Sequence, residues 1–324
     1  MVTIEDVAKE AGVSIATVSR VINNLGNVSE KTKMKVWRAV KKLNYKPKIL
    51  ASALARHRGK FLVGICESER LKDMEKQKLL PEFYSVILTS LEKVGEEYGT
   101  KFCKMDLLSP GDCDGYVLVG GDTNKEIINE YRIKRKPFIL LDHYIPGEKV
   151  DCIVTNGYDG AYYATRYLIE KGLRKIFHIH GPLNSYGFRG RFEGYTTAMK
   201  EAGLLPKYYE YDDVKDNMED VIEFMLRKNE KPEAIFASND ITAMRVIREL
   251  KKRDIKIPEE VSVIGFDDII SARDFNPPLT TLKVFKDEMG SLAAKRIYEL
   301  LIGHDIHPVT ISLFTKFIKR RSSI

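Results

Sequence analysis

Near its start the sequence joins two amphipathic helical stripes through only Gly12, Val13 and Ser14, and two helices tied that closely must cross steeply. Ile4, Val7, Ala8 and Ala11 recur at helical spacing on one face, behind Thr3 as a cap with Asp6 three places on. Gly12 ends that stripe. Ser14 is placed to cap the next one, whose inward residues are Val18, Val21 and Ile22. Ser29 caps a third, which carries Val36, Val40 and Leu43 with Trp37 beside them until Pro47 breaks the pattern. Three short helices around one small core are expected.

The outward face of the second helix holds Ile15, Ala16, Thr17, Ser19, Arg20 and Asn23, none with a reason to be buried. An arginine can give two donors to guanine O6 and N7, and Ile15 and Ala16 suit thymine methyls. Ser14, Thr17, Ser19 and Asn23 can hydrogen-bond phosphates. Charge points the same way. Residues 1–60 carry 13 Lys and Arg against 4 Asp and Glu, a local +9, whereas the rest of the chain sums to −2 within a total of +7. A positive excess confined to a periodic helical segment is the footprint of a polyanion partner rather than of a solvated tail.

The stretches TIEDVAKEAGVSIATVSRVIN and VSEKTKMKVWRAVKKLNYKP resemble the DNA-binding head of the LacI/GalR repressors. The resemblance implies a helix-turn-helix head over 1–46 and adds Ser29 and Tyr45 to the expected DNA contacts. It also implies a hinge over 47–59 that folds on operator DNA beside its twin in a homodimer. Leu54 falls on the position that wedges into the minor groove, and Ala51 and Ala55 keep one face small. Lys48 and Ser52 depart from the family's frequent Asn and Arg there.

After Lys60 the pattern changes to alternation. FLVGIC, a helical stretch from about Pro81 to Tyr98, KFCKM, GYVLVG and FILLD suggest βα units. A second set follows, with a helix over 157–171, KIFHIHG, a helix through Gly203, AIFAS, a helix over 240–252 and VSVIGF. Two α/β lobes of parallel sheet are therefore expected, with ligands held beyond the carboxyl ends of the strands. GPLNSYGFRGRFEGY, FASND, VSVIGFDD and NPPLTTL extend the LacI/GalR resemblance through this region and imply a two-lobed core like the periplasmic binding proteins over 60–324. Its first lobe would comprise about 60–155 and 285–308, its second about 156–284 and 309–324. Carried over residue by residue, the effector-binding positions are Asp159, Arg191, Asn239 and Asp267, with Phe83 and Tyr84 as an aromatic wall. These groups suit a polyol, because carboxylates and amide oxygens accept hydroxyl hydrogens and rings cover the apolar sugar face. Asp240 and Asp268 are assigned to helix capping and turn closure. No helix fits between MDLLSPGD and GYVLVG, so the first lobe should be trimmed, and in this it is similar to repressors of galactoside-utilisation genes.

The sequence holds no P-loop, GxSxG, HExxH or metal-ligand spacing, so neither an enzyme nor a metal or other cofactor is expected. The cysteines Cys66, Cys103, Cys113 and Cys152 read as small buried hydrophobes, and of His178 and His180 one is expected on the far side of its sheet. The opening MVTIEDVAKEAG lacks a secretion signal's apolar run and no segment approaches a membrane span, so the cytoplasm is the expected location. The expected protein is a sugar-responsive repressor that binds a near-palindromic operator in double-stranded DNA as a homodimer. Two alternatives share its core: a sugar-binding protein of transport type, and a corepressor-dependent regulator with a non-sugar, purine-like ligand.

Overall fold

The computed structural model describes residues 3–22, 28–43, 61–76, 82–213, 215–227, 231–303 and 307–324. They form two compact units, an all-helical head and an α/β core that starts at Phe61. Asn23, Tyr45, Leu54 and the expected hinge lie outside the described residues.

The head consists of α1 (Ile4–Ala11), α2 (Ile15–Ile22) and α3 (Glu30–Lys42). The Asp6 backbone N–H donates to Thr3 Oγ1 at 3.3 Å and the Thr3 N–H donates to Asp6 Oδ2 at 2.8 Å, so two otherwise orphaned donors are satisfied reciprocally. Gly12 closes α1 at φ 65°, a left-handed conformation in which a side chain would be strained. Val7, Ala8, Ala11, Val18, Val21, Val36 and Ala39 make the buried centre. Trp37 does not join it, remaining 48% exposed. On a helix it stands roughly 100° round from Val36, whereas Ala39, Val40 and Leu43 fall within a narrow stripe about Val36.

The first lobe of the core is built from β1 (Phe61–Glu67), α4 (Glu69–Lys76), α5 (Tyr84–Glu97), β2 (Thr100–Asp106), β3 (Gly115–Val119), α6 (Lys125–Ile133), β4 (Phe138–Leu141) and β5 (Asp151–Thr155). The second contains α7 (Gly157–Glu170), β6 (Ile176–His180), α8 (Tyr186–Glu201), β7 (Lys207–Glu210), α9 (Met218–Arg227), β8 (Ala234–Ala237), α10 (Asp240–Lys251), β9 (Ser262–Ile264), α11 (Ile270–Asp274) and β10 (Thr281–Lys283). The chain then returns to the first lobe for α12 (Lys286–Leu301) and β11 (Thr310–Leu313), and ends in the second with β12 (Lys316–Ile318). Strand order is β11-β5-β4-β3-β1-β2 in one parallel sheet and β7-β6-β8-β9 in the other. The central strands are continuous buried runs, as sheets covered on both faces require.

The placement of 309–324 in the second lobe is corrected at β11. Cys152 donates its N–H to the Val309 carbonyl at 2.9 Å, and Thr310–Leu313 pairs in parallel with Cys152–Thr155, which makes β11 the edge strand of the first lobe. The last crossing therefore lies at Phe314–Thr315. It runs beside the other two: the Asn156 N–H donates to the Leu313 carbonyl at 2.8 Å, and β12 pairs antiparallel with β10 just before the Val284–Phe285 crossing.

Between β2 and β3 there is no helix, as the sequence predicts. Residues 107–114 return as an extended loop, pinned where the Tyr131 hydroxyl donates to the Leu107 carbonyl and the Tyr116 hydroxyl to the Gly111 carbonyl, both at 2.9 Å. Cys66, Cys113 and Cys152 are buried, Cys103 is half-buried, and all four are free thiols. His178 and His180 share one side of β6, contrary to expectation, with ring centroids 5.8 Å apart. Residues two apart on a strand point the same way. His178 stacks on Phe236, and burial pushes its imidazole down to about 3, so it stays neutral.

Where α12 crosses α5, Gly290 lets the two backbones come into contact. A Cβ on Gly290 of α12 would lie 2.2 Å from the Ile87 carbonyl oxygen and 2.8 Å from the Leu91 nitrogen of α5. Backbone cannot retreat as a flexible side chain can. The Gly290→Ala substitution is expected to cost about 3 kcal/mol, the upper end of overpacking penalties. Urea unfolding measures it, and an unchanged midpoint would mean the two helices can separate freely.

Candidate effector site and DNA-reading face

Ser14 Oγ accepts the Thr17 N–H at 3.1 Å and so caps α2, and Ser29 Oγ does the same for α3 by accepting the Thr32 N–H at 3.3 Å. Burying Val18 and Val21 turns Ile15, Ala16 and Arg20 outward, with Thr17 and Ser19 at the edge. Ile15 is 47% exposed, an apolar side chain at the helix start with no internal partner to cover it.

In the core, Phe83, Tyr84, Arg191, Asn239 and Asp267 all line one cavity of about 930 Å³ between the lobes. The cavity opens beyond strand ends, where β4, β8 and β9 stop and the next segments turn away. Arg191, in the second turn of α8, is buried; its Nη1 donates to the Ser238 carbonyl at 2.5 Å and its Nη2 to Asp267 Oδ1 at 3.3 Å. Its guanidinium lies 3.9 Å from the centre of the Phe266 ring, while Nε has no partner. Asp267 takes a strained φ of 116°. Burial raises its carboxyl to about 6, against the opposing pull of Arg191 and Lys286. Asn239 is the N-cap of α10: Oδ1 accepts the Thr242 N–H at 2.7 Å, and its amide also hydrogen-bonds the Asp213 carboxylate in the cavity lining. Asp240 ties the loop after β9, accepting from the Ile269 N–H and the Thr281 hydroxyl, and Asp268 pairs with Arg320.

On the first lobe, Phe83 and Tyr84 meet edge to face with ring centres 5.0 Å apart at the start of α5. The Tyr84 hydroxyl donates to Asp142 Oδ2 at 2.7 Å. Asp142 was not foreseen, although it ends the strand FILLD and the strand-end logic that found Asn239 and Asp267 applies to it equally. Burial raises its carboxyl above the usual range. Nor were Arg70, Asp212, Asp213 and Arg245 foreseen. Arg70 of α4 donates from Nη1 to both oxygens of Asp212 at 2.9 and 3.0 Å and from Nη2 to Asp213 Oδ1 at 2.8 Å, spanning the two lobes.

Asp159 is not brought to this cavity. Gly157, Ala161, Ala164 and Leu168 form the buried side of α7, and Asp159 stands about 200° round from Gly157, exposed to solvent.

Two family descriptions match the chain: "Bacterial regulatory proteins, lacI family" over residues 3–48 and "Periplasmic binding protein-like domain" over 165–323. The HTH-type transcriptional repressor PurR of Photorhabdus laumondii is 30% identical, with 100% of this chain and 97% of that protein covered. The chain belongs to the LacI family. Among solved structures, a complex of the transcriptional regulator CelR with cellobiose is 27% identical at a TM-score of 0.71, covering 99% of this chain and 100% of that one. The lac repressor dimer bound to operator and the anti-inducer ONPF shares the fold at 24% identity and a TM-score of 0.70, covering 100% and 99%. This LacI-family chain is thus a DNA-binding transcriptional repressor and not an enzyme. Among its described residues no helix is long and apolar enough to cross a membrane.

Proposed function

We propose that this repressor senses a neutral sugar in the cavity between its lobes and, as a cytoplasmic homodimer, holds or releases a near-palindromic operator accordingly. One observation carries the sugar reading: the phenol of Tyr84, the carboxylates of Asp142 and Asp267, the amide of Asn239 and the guanidinium of Arg191 line one cleft beside Phe83. Such a set alternates donors and acceptors around an aromatic face, which is what a ring of hydroxyls with an apolar side needs. Of these groups, Arg191 Nε is buried without a hydrogen-bond partner, which is costly unless a ligand supplies an acceptor.

Two heads related by a two-fold axis read two half-sites, with Ile15, Ala16 and Arg20 on base edges and Ser14, Thr17, Ser19 and Ser29 on phosphates. The sugar favours one arrangement of the lobes and shifts the equilibrium only by its differential affinity for that arrangement. A thermal-shift panel of sugars, with galactosides first and free purine bases alongside, tests the reading, because a ligand of the folded state raises the melting temperature. A sugar is expected to raise it and, in fluorescence anisotropy, to change affinity for operator DNA. A shift with purine bases alone would transfer the site to the purine-like alternative.

A further inference from the structure

β2 and β3 are parallel to β1, which lies between them in the sheet, and the chain passes from one to the other in residues 107–114 alone. A crossover between parallel strands ordinarily takes a dozen residues or more, most often as a helix. This one has neither helix nor strand to hold it. Its anchors are the Tyr131 and Tyr116 hydroxyls, the Leu107 N–H on the Glu67 carbonyl at 3.1 Å and, at the far end, the Asp114 N–H on the Leu62 carbonyl at 2.8 Å. Between those anchors the loop sets one thiol against another. Cys113 Sγ lies 3.8 Å from Cys103 Sγ of β2, whereas the thiols of Cys66 and Cys152 turn to the Gly64 and Val150 carbonyls.

The geometry points to Cys103 and Cys113 as a thiol–disulfide pair that closes under oxidation and staples this loop to β2. It is a site apart from the cavity, with which it shares no lining residue. To bond, the sulfurs must close from 3.8 Å to roughly 2.0 Å. The Met105 thioether, also 3.8 Å from Cys113 Sγ, is the soft, adaptable neighbour that can give way to that approach. Cys103 is half-buried and within reach of solvent, whereas Cys113 is only 4% exposed. Burial and the adjoining Cys103 push the Cys113 thiol up to about 12, so it keeps its proton and meets no oxidant directly. The oxidant is a small-molecule disulfide. Cys103, as thiolate, attacks one of its sulfurs and breaks the S–S bond, and the departing thiolate takes up the proton that Cys103 gave off. Cys113 Sγ then displaces the second small thiol from Cys103 Sγ, passing its own proton to that leaving group. Two protein thiols are oxidised and one small disulfide is reduced to two thiols. In a reducing compartment such a pair rests open and closes only under an oxidant load, as a sensor does and a permanent bridge does not.

Oxidised glutathione, added at pH 8 to the full chain after reduction and desalting, tests this. Thiols counted in denaturant are expected to fall from four to two, and digestion without reductant should give one linked pair of peptides, carrying Cys103 and Cys113. The melting temperature should rise by about 5 °C, because tying a loop of this length removes freedom from the unfolded chain, and dithiothreitol should reverse the rise. Cys113→Ser should stop at a mixed disulfide of glutathione on Cys103, and Cys103→Ser should keep every remaining thiol free. Four thiols still free after prolonged exposure overturn the pairing, and so does a bridge that takes Cys66 or Cys152 or joins two chains. A bond between Cys103 and Cys113 that leaves the melting temperature where it was overturns the staple.

Discussion

Asp267→Ala is expected to abolish the effector response and leave operator affinity unchanged. Among the described residues, this carboxylate is the one that both pairs with Arg191 and lines the cavity. A hydrogen bond to a charged group contributes roughly 1.5–3 kcal/mol, so each one lost weakens binding about tenfold to a hundredfold. Two bonds from a sugar to Asp267 would take the affinity below any useful concentration. The fold should tolerate the change, because burial already disfavours this carboxylate in its charged form. Arg191 keeps its bond to the Ser238 carbonyl, and Lys286 is held by the backbone carbonyls of Asp267 and Asp268, which the substitution spares.

The same residue fixes a pH dependence. With its carboxyl near 6, Asp267 is ionised at pH 7 and takes up a proton as the pH falls through 6, losing acceptor capacity. Effector affinity is therefore expected to fall about tenfold from pH 7 to pH 5 by linkage. Calorimetry at the two pH values measures the change. A wild-type profile flat over that interval, or sugar affinity retained in Asp267→Ala, would remove the residue from the site.

Arg20→Ala carries the second large effect, on the other unit. Arg20 follows Ala16 by one helical turn on the exposed side of α2, which would let its fork reach a base pair next to the one proposed for Ala16. Removing a bidentate contact to guanine costs roughly 1–3 kcal/mol of discrimination, confined to one base pair in each half-site. Operators carrying every substitution, titrated at fixed salt, should show preference vanishing there and nowhere else. A uniform loss over all sequences, with the salt dependence of binding shallower by about one, would mean that Arg20 meets only phosphate.

Local physics made much of this molecule readable from its residues. Thr3, Asp6 and Gly12 announce the ends of α1 because capping is settled within four residues. The buried strands stand out as apolar runs, and the short link from β2 to β3 is a matter of counting. A phase error accounts for one misreading, since a strand repeats every two residues and puts His178 with His180; Asp159 was carried over from the family resemblance, and its helix turns it to the exposed side. Asp142 carried the same signal as Asp267 and went unread. The Arg70 fork carried no signal at all. Its partners lie 142 and 143 residues away, and no local pattern says which charges a fold will bring face to face.

The three crossings between the lobes lie side by side, joined by the Asn156 to Leu313 bond and the β10–β12 pairing. Three straps anchored in a row resist sliding and twisting of one half over the other and leave bending about their common line as the soft direction. If the cavity takes a ligand as proposed, the movement this geometry leaves open is a swing of one lobe about that line.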